Sequence, residues 1–377
     1  MKRLLVFSVA AAILITGGVF FWTNRPSPAI ETKFVTDVRK EITPTIGELQ
    51  DSGNAQSSAG IKKPGNSALV TNPRHIYQTF NNCGPATLSM VLGWYGRNVS
   101  QSELADKMRP YQNQKGDNDD KTIFTYEFVD WVKEYGFEAT GRVNGDIELL
   151  KKFTTNGIPV VVKTWLHVNE DIGHFRIVRG FDESKKVIIQ DDSYEGPNMK
   201  FSYYDFLSLW QPFNYAYIIV YKQEQESLVE AILGSEIDEK VAWENALERA
   251  ERESQLSQDS VYPWFNMSTA YYHLEDYQNS VTAFEKVEDR LPKRMLWYQI
   301  EPIQSYQKLG KYDRVFTIIA KVLENGNRAY SELYQIRGEI YLDQGKKDLA
   351  KNEFEQALAY NKYFKKAQVS LENISNN

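Results

Sequence analysis

The chain has 377 residues, 42% hydrophobic and 13% aromatic, with a formal charge of −6, which is apolar material enough for two compact domains. Its lysines and arginines form no long basic block and it has no phosphate loop of the GxxxxGKS kind, so nucleic-acid binding and NTPase activity are excluded as readings. Cys83 is the only cysteine, which excludes an internal disulfide framework.

Residues 1–25, MKRLLVFSVAAAILITGGVFFWTNR, place two basic residues before about 19 mostly apolar ones, Leu4 to Trp22. That length predicts an N-terminal transmembrane helix. A cleaved signal has a shorter apolar centre and a small-x-small site, so the segment reads as an uncleaved anchor, with secretion after signal cleavage as the alternative. The basic start puts the body on the outer side of a bacterial cell membrane that the chain crosses once. Residues 26–70 are rich in Ser, Pro, Gly, Thr and Asn without a sustained period and read as a flexible linker, in which residues 31–49 have room for a short helix or strand.

Residues 71–224 have the organisation of one α+β domain. Pro85 suits the first turn of a helix, and Ala86, Leu88, Met90, Val91 and Leu92 give that helix an apolar face up to Gly93 and Gly96. Ser100 and Glu103 resemble a capping box that opens a second helix, IFTYEFVDWVKEYG reads as a third, and GDIELLKKFTTNG as a fourth. Four runs rich in branched and aromatic residues follow, IPVVVKTW, HFRIVRGF, KVIIQDD and NYAYIIVYK, and predict a mostly antiparallel sheet. GDNDDK at 116–121 lacks the pattern and the terminal glutamate of a calcium loop, so it reads as a solvated acidic loop.

Residues 228–377 are helical throughout. YYHLEDYQNSVTAFEKV, SYQKLGKYDRVFTIIAKVL and YLDQGKKDLAKNEFEQAL recur every 35 residues, with Tyr277 matching Tyr312 and with Phe284, Ile319 and Phe354 at one apolar position. About three helix pairs, preceded by an entry helix around 236–252, form a stack with a concave face.

The chemistry centres on QTFNNCGPATLSMVLGWYG. A thiol at a helix start gains from the positive end of the helix, and as a nucleophile it needs an imidazole to take its proton. Among the four histidines, His174 opens the strand HFRIVRGF at a position where the sheet edge can present it. His167 is a rival base or a rim residue, His75 a loop histidine near the thiol, and His273 part of a repeat helix. Asp191 ends the neighbouring strand and can hold the imidazole, with Asp192 as its rival, since alternation sends the two to opposite faces. Gln78, with the Cys83 backbone N–H, can stabilise an oxyanion. Tyr194, Trp165 and Trp210 are aromatic candidates for a cleft wall.

The blocks QTFNNCGPATLSMVLGWYG, GHFRIVRGFD and VIIQDDSYEG resemble, in order, the bacteriocin-processing branch of the papain-like cysteine peptidases, in particular exported proteins that have this domain without a transporter. The later segments resemble tetratricopeptide repeats. The resemblance implies an α+β papain-like peptidase domain followed by an all-α helical-repeat domain. In it Cys83 is the nucleophile, His174 the base and then acid, Asp191 the orienting carboxylate and Gln78 the oxyanion donor. It also implies a peptide or protein substrate, a protein partner on the repeats, and no cofactor or metal. The acid block reads Asp-Asp-Ser where the family often has Asp-Pro, which leaves Asp192 in play. Without a transporter portion, the family's restriction to double-glycine leaders does not carry over. The function implied is hydrolysis of peptide or isopeptide bonds by a membrane-tethered extracytoplasmic enzyme. The alternatives are a noncatalytic peptide-binding or protein-binding module and a thiol-dependent amidase or acyl transferase.

Overall fold

The computed structural model describes residues 60–71, 74–112, 123–324 and 326–376. The apolar segment Leu4–Trp22 and GDNDDK at 116–121 lie outside the described residues, and no helix among those described is long and apolar enough to cross a membrane. Residues Ser57–Asn377 group as one compact unit.

The sheet-bearing part begins with β1 (Ser67–Leu69), α1 (Cys83–Trp94), α2 (Gln101–Met108), α3 (Thr125–Glu134), β2 (Glu138–Arg142) and α4 (Ile147–Thr155). It continues with β3 (Val160–Trp165), β4 (Gly173–Asp182), β5 (Val187–Asp192), β6 (Gly196–Ser202), α5 (Tyr203–Trp210), β7 (Tyr217–Tyr221) and α6 (Glu226–Leu233). All strand pairings are antiparallel, in the order β2-β7-β3-β4-β5-β6, with β1 paired to β4 beyond the end of β3. β1 therefore takes the end of the expected linker into the sheet. Gly180 makes room for it, because a Cβ there would lie 2.1 Å from the Ala68 carbonyl oxygen.

Helices cover both faces of the sheet, which explains why every residue of β3 is buried. Val161, Phe175, Ile177, Ile218 and Val220 pack with α1, α2 and α3, while Val160, Val162, Val178, Phe181 and Ile219 pack with α4, α5 and α6. Local chemistry sets several helix ends. Ser100 Oγ accepts from Glu103 N, Asp146 Oδ1 accepts from Leu149 N, and Gly136, at φ +84, closes α3.

The helical part comprises α7 (Glu239–Leu256), α8 (Val261–His273), α9 (Tyr277–Glu285), α10 (Glu301–Lys308), α11 (Tyr312–Glu324), α12 (Ser331–Asp343), α13 (Lys347–Tyr360) and α14 (Lys365–Ser375). Tyr277 and Tyr312 open α9 and α11, and Phe284, Ile319 and Phe354 are all fully buried in one cluster. That cluster also takes in Phe124, Val143, Trp165, Leu209, Phe213 and Ala216 of the sheet-bearing part. The apolar core is thus continuous from the sheet into the repeats.

Candidate active site

Cys83 is the first residue of α1 and is half-buried. The chain reaches it through Asn81, at φ 57, and through Asn82, whose side chain donates to Thr79 Oγ1 at 2.7 Å and accepts from Arg109 Nη1 at 2.5 Å. Behind it the helix packs closely: a Cβ on Gly84 would lie 2.7 Å from Ile123 Cδ1. The thiol is thereby fixed at the end of α1 where backbone N–H groups have no partner within the helix.

His174, at the start of β4 and 2% exposed, lines the same cavity as Cys83, where its charge favours the thiolate, and its Nε2 lies 2.9 Å from Asp192 Oδ1. Nδ1 is the remaining ring nitrogen for the sulfur. Asp192 is held hard: Oδ2 accepts from Arg176 Nε at 2.7 Å, and Oδ1 accepts from the backbone N–H of Tyr194 at 2.7 Å and of Glu195 at 3.0 Å. Arg176 is itself buried and also donates to the carbonyls of Trp165 and Leu166 and to Thr164 Oγ1. Despite its burial, Asp192 lies well below the usual carboxylate range, because His174 and Arg176 favour its charge.

Asp191 does not occupy the orienting position. The strand register sets Asp192 opposite Arg176 and Asp191 opposite Ile177, so only Asp192 shares a face with His174 and Arg176. Asp191 instead pairs with Arg179 Nε at 2.9 Å and accepts from Asn198 N at 2.9 Å. It is a structural carboxylate on the other side of the strand.

Gln78 and Cys83 line one cavity of about 500 Å³. Ser193 clamps the glutamine twice: Gln78 N donates to the Ser193 carbonyl at 2.7 Å, and Ser193 Oγ donates to Gln78 Oε1 at 2.8 Å. Fixing the amide by its oxygen leaves the NH₂ end as the donor. Lys163 lines the same cavity; it is buried, with Nζ 4.0 Å from the centroid of the Phe175 ring and 3.4 Å from the Ile123 carbonyl oxygen.

Burial alone would raise the Cys83 thiol. The hydrogen bond and charge of His174 outweigh it, helped by the Lys163 charge and a Phe175 backbone hydrogen bond, and bring the thiol down to about 6. His174 moves the other way: burial would lower it, but Asp192 and the Cys83 thiolate raise it. Between the two lies a pH range in which thiolate and imidazolium coexist.

The other candidates separate clearly. His167 sits between Glu170 and Glu195, away from the thiol; His75 Nε2 meets the Asp192 carbonyl oxygen at 2.9 Å; His273 stacks on Trp243 in the helical part. Tyr194 lines the cavity and is exposed, whereas Trp165 and Trp210 are core residues. Sequence reasoning missed Lys163, Arg176 and Ser193. The first two had a signal, a charged residue inside each of the apolar runs VVVKTW and HFRIVRG. It also missed Trp297 and Tyr298, which the helical part contributes to the cavity wall.

Among the described residues no group of three or more His, Cys, Asp or Glu is placed to hold a metal ion. Residues 70–223 match the family model described as the Peptidase_C39 like family, and residues 261–290 and 331–367 match that of the tetratricopeptide repeat. None of the curated proteins matches the chain. Among solved structures, a C39-like peptidase from Bacillus anthracis is 18% identical, with 42% of this chain and 98% of that one covered at a TM-score of 0.34. The peptidase domain of Streptococcus ComA, a bifunctional ABC transporter of a quorum-sensing pathway, is 22% identical, covering 39% of this chain and 97% of that one at 0.32. A double-glycine-motif protease of an AMS/PCAT transporter, solved with its leader peptide, is 21% identical, covering 43% and 99% at 0.32.

Proposed function

We propose, from a C39-like peptidase domain followed by tetratricopeptide repeats, that this protein is a cysteine peptidase that hydrolyses peptide or isopeptide bonds. One observation supports this most: a thiol at a helix start that shares a cavity with a buried histidine, one ring nitrogen of which is held by a buried carboxylate. Cys83 Sγ, as thiolate, attacks the carbonyl carbon. The oxyanion that forms takes the Cys83 N–H and the Gln78 NH₂. His174 gives its proton to the departing amine, leaving a thioester. Water then attacks, His174 accepts its proton, and the carboxylic acid leaves with the thiolate restored. Asp192 keeps the imidazole oriented and favours its charged form. The body acts outside a bacterial cell, tethered by residues 1–25, and the repeats hold a protein partner.

Alkylation of Cys83 by iodoacetamide, followed from about pH 5 to about pH 9, tests the pair. Because the thiol is depressed, the thiolate persists down to its pKa, and the rate should rise through about 6. An ordinary cysteine rises through about 8.5. His174→Ala removes the partner and should move the inflection upward. A rate that ignores His174 would leave a noncatalytic binding module as the better account.

A further inference from the structure

A second cavity, of about 770 Å³, lies between the sheet-bearing part and the repeats. α3 and β2 wall it on one side and α7, α8, α10 and α12 on the other. Ile123, Lys163 and Tyr298 line both this cavity and the cleft around Cys83, so the two spaces adjoin.

The polar atoms of its repeat-side wall ask for a donor. Glu301 Oε2 and Gln335 Oε1 are buried and accept no hydrogen bond, and Gln335 is only 1% exposed. A buried acceptor without a donor is costly. Glu332, also buried, belongs to the same wall. Burial, and then the charges of Glu332 and Glu301, push the nearby Tyr330 hydroxyl upward. Beside Glu301, the Trp243 ring stacks on His273 at 3.9 Å and offers a flat apolar surface for an alkyl stem.

We propose that this cavity binds a lysine-bearing or arginine-bearing peptide segment, whose cationic group donates to the Glu301 and Gln335 oxygens. The ligand class stands on the cavity itself. That the segment belongs to the chain cut at Cys83 rests on the peptidase function proposed above. A substrate would then be held by a basic side chain on the repeat side of the Lys163–Tyr298 partition, while its scissile bond lies on the other.

The test titrates fluorescein-labelled hexalysine, and hexaglutamine of the same length, into the full chain carrying Cys83→Ala, read by fluorescence anisotropy. Hexalysine should bind more tightly, and Glu301→Gln with Glu332→Gln should weaken it about tenfold or more. Lys133→Glu, at the exposed rim, should tighten it about threefold without disturbing the core. Glu244→Gln with Glu248→Gln, on the exposed face of α7, controls for diffuse attraction to an acidic protein and should change little. Equal binding of the two peptides overturns the proposal. So does a control pair that loses as much as the cavity pair, or indifference to both the cavity pair and Lys133→Glu. Alkylation of Cys83 in the unsubstituted chain reads the thiol alone. Failed hexalysine binding beside a thiol reactive near about pH 6 therefore removes the basic site and keeps the peptidase function, and the reverse pattern does the opposite.

Discussion

Asp191 and Asp192 are neighbours of equal chemistry and nearly equal burial, and their partners divide their work. Asp192 faces the imidazole and Asp191 faces Arg179. Asp192→Asn should therefore lower kcat/KM by roughly 10²–10⁴ and shift the alkylation inflection upward, since an amide neither favours the imidazolium nor fixes its tautomer. Asp191→Asn should leave that inflection in place while reducing stability by about 3–5 kcal/mol, as breaking one side of a buried ion pair does; urea unfolding measures it. Lys163 offers a third comparison. Lys163→Met keeps much of the volume and removes a charge that favours the thiolate, so the Cys83 inflection should rise, by less than in His174→Ala. Sequence places Cys83 at a helix start and His174 at a strand start, and the family resemblance is what singles this pair out from His167 and His75. The carboxylate was not legible there: alternation says that the two aspartates diverge, but not which one meets the histidine.

That choice is made by the strands. β4 and β5 slip between Val178 and Gly180, and β5 and β6 slip between Gln190 and Asp192, so facing partners cannot be counted back from the hairpin turn. The four apolar runs did become β3, β4, β5 and β7. β1, β2 and β6 were not legible, because EATGR and GPNMKFS are poor in branched residues and hold their places through neighbours rather than propensity. The start of β4 carries a further constraint: a Cβ on Gly173 would meet Tyr298 Cε1 at 2.7 Å. Gly173→Ala should therefore displace His174 and cost about 1–3 kcal/mol through overpacking. Tyr298→Ala should recover part of that loss in a double-mutant cycle read by denaturation and by Cys83 alkylation, whereas independent sites would simply add.

At the scale of the whole molecule, the repeat period foretold the helix pairs but not where their inner faces would go. Apolar positions that bury against a neighbouring repeat read the same as those that bury against a sheet. Here some do the second. Trp165 stands edge-on to Phe213 and to Tyr298, and its Nε1 donates to the Tyr262 hydroxyl at 3.1 Å. Arg294 binds Asp171 through its backbone N–H at 2.9 Å and its guanidinium at 2.6 Å. With the core shared in this way, the described body should unfold in one calorimetric transition. A fragment ending near residue 224 should melt lower and bind a dye for exposed apolar surface. The loop that Arg294 grips lies just before Gly173 and His174. In breeding terms, the peptidase-like domain and its repeats are a fixed pairing rather than a graft: an array borrowed from another protein would dock on the sheet only if it also brought Tyr262, Tyr298 and the arginine that the start of β4 leans on.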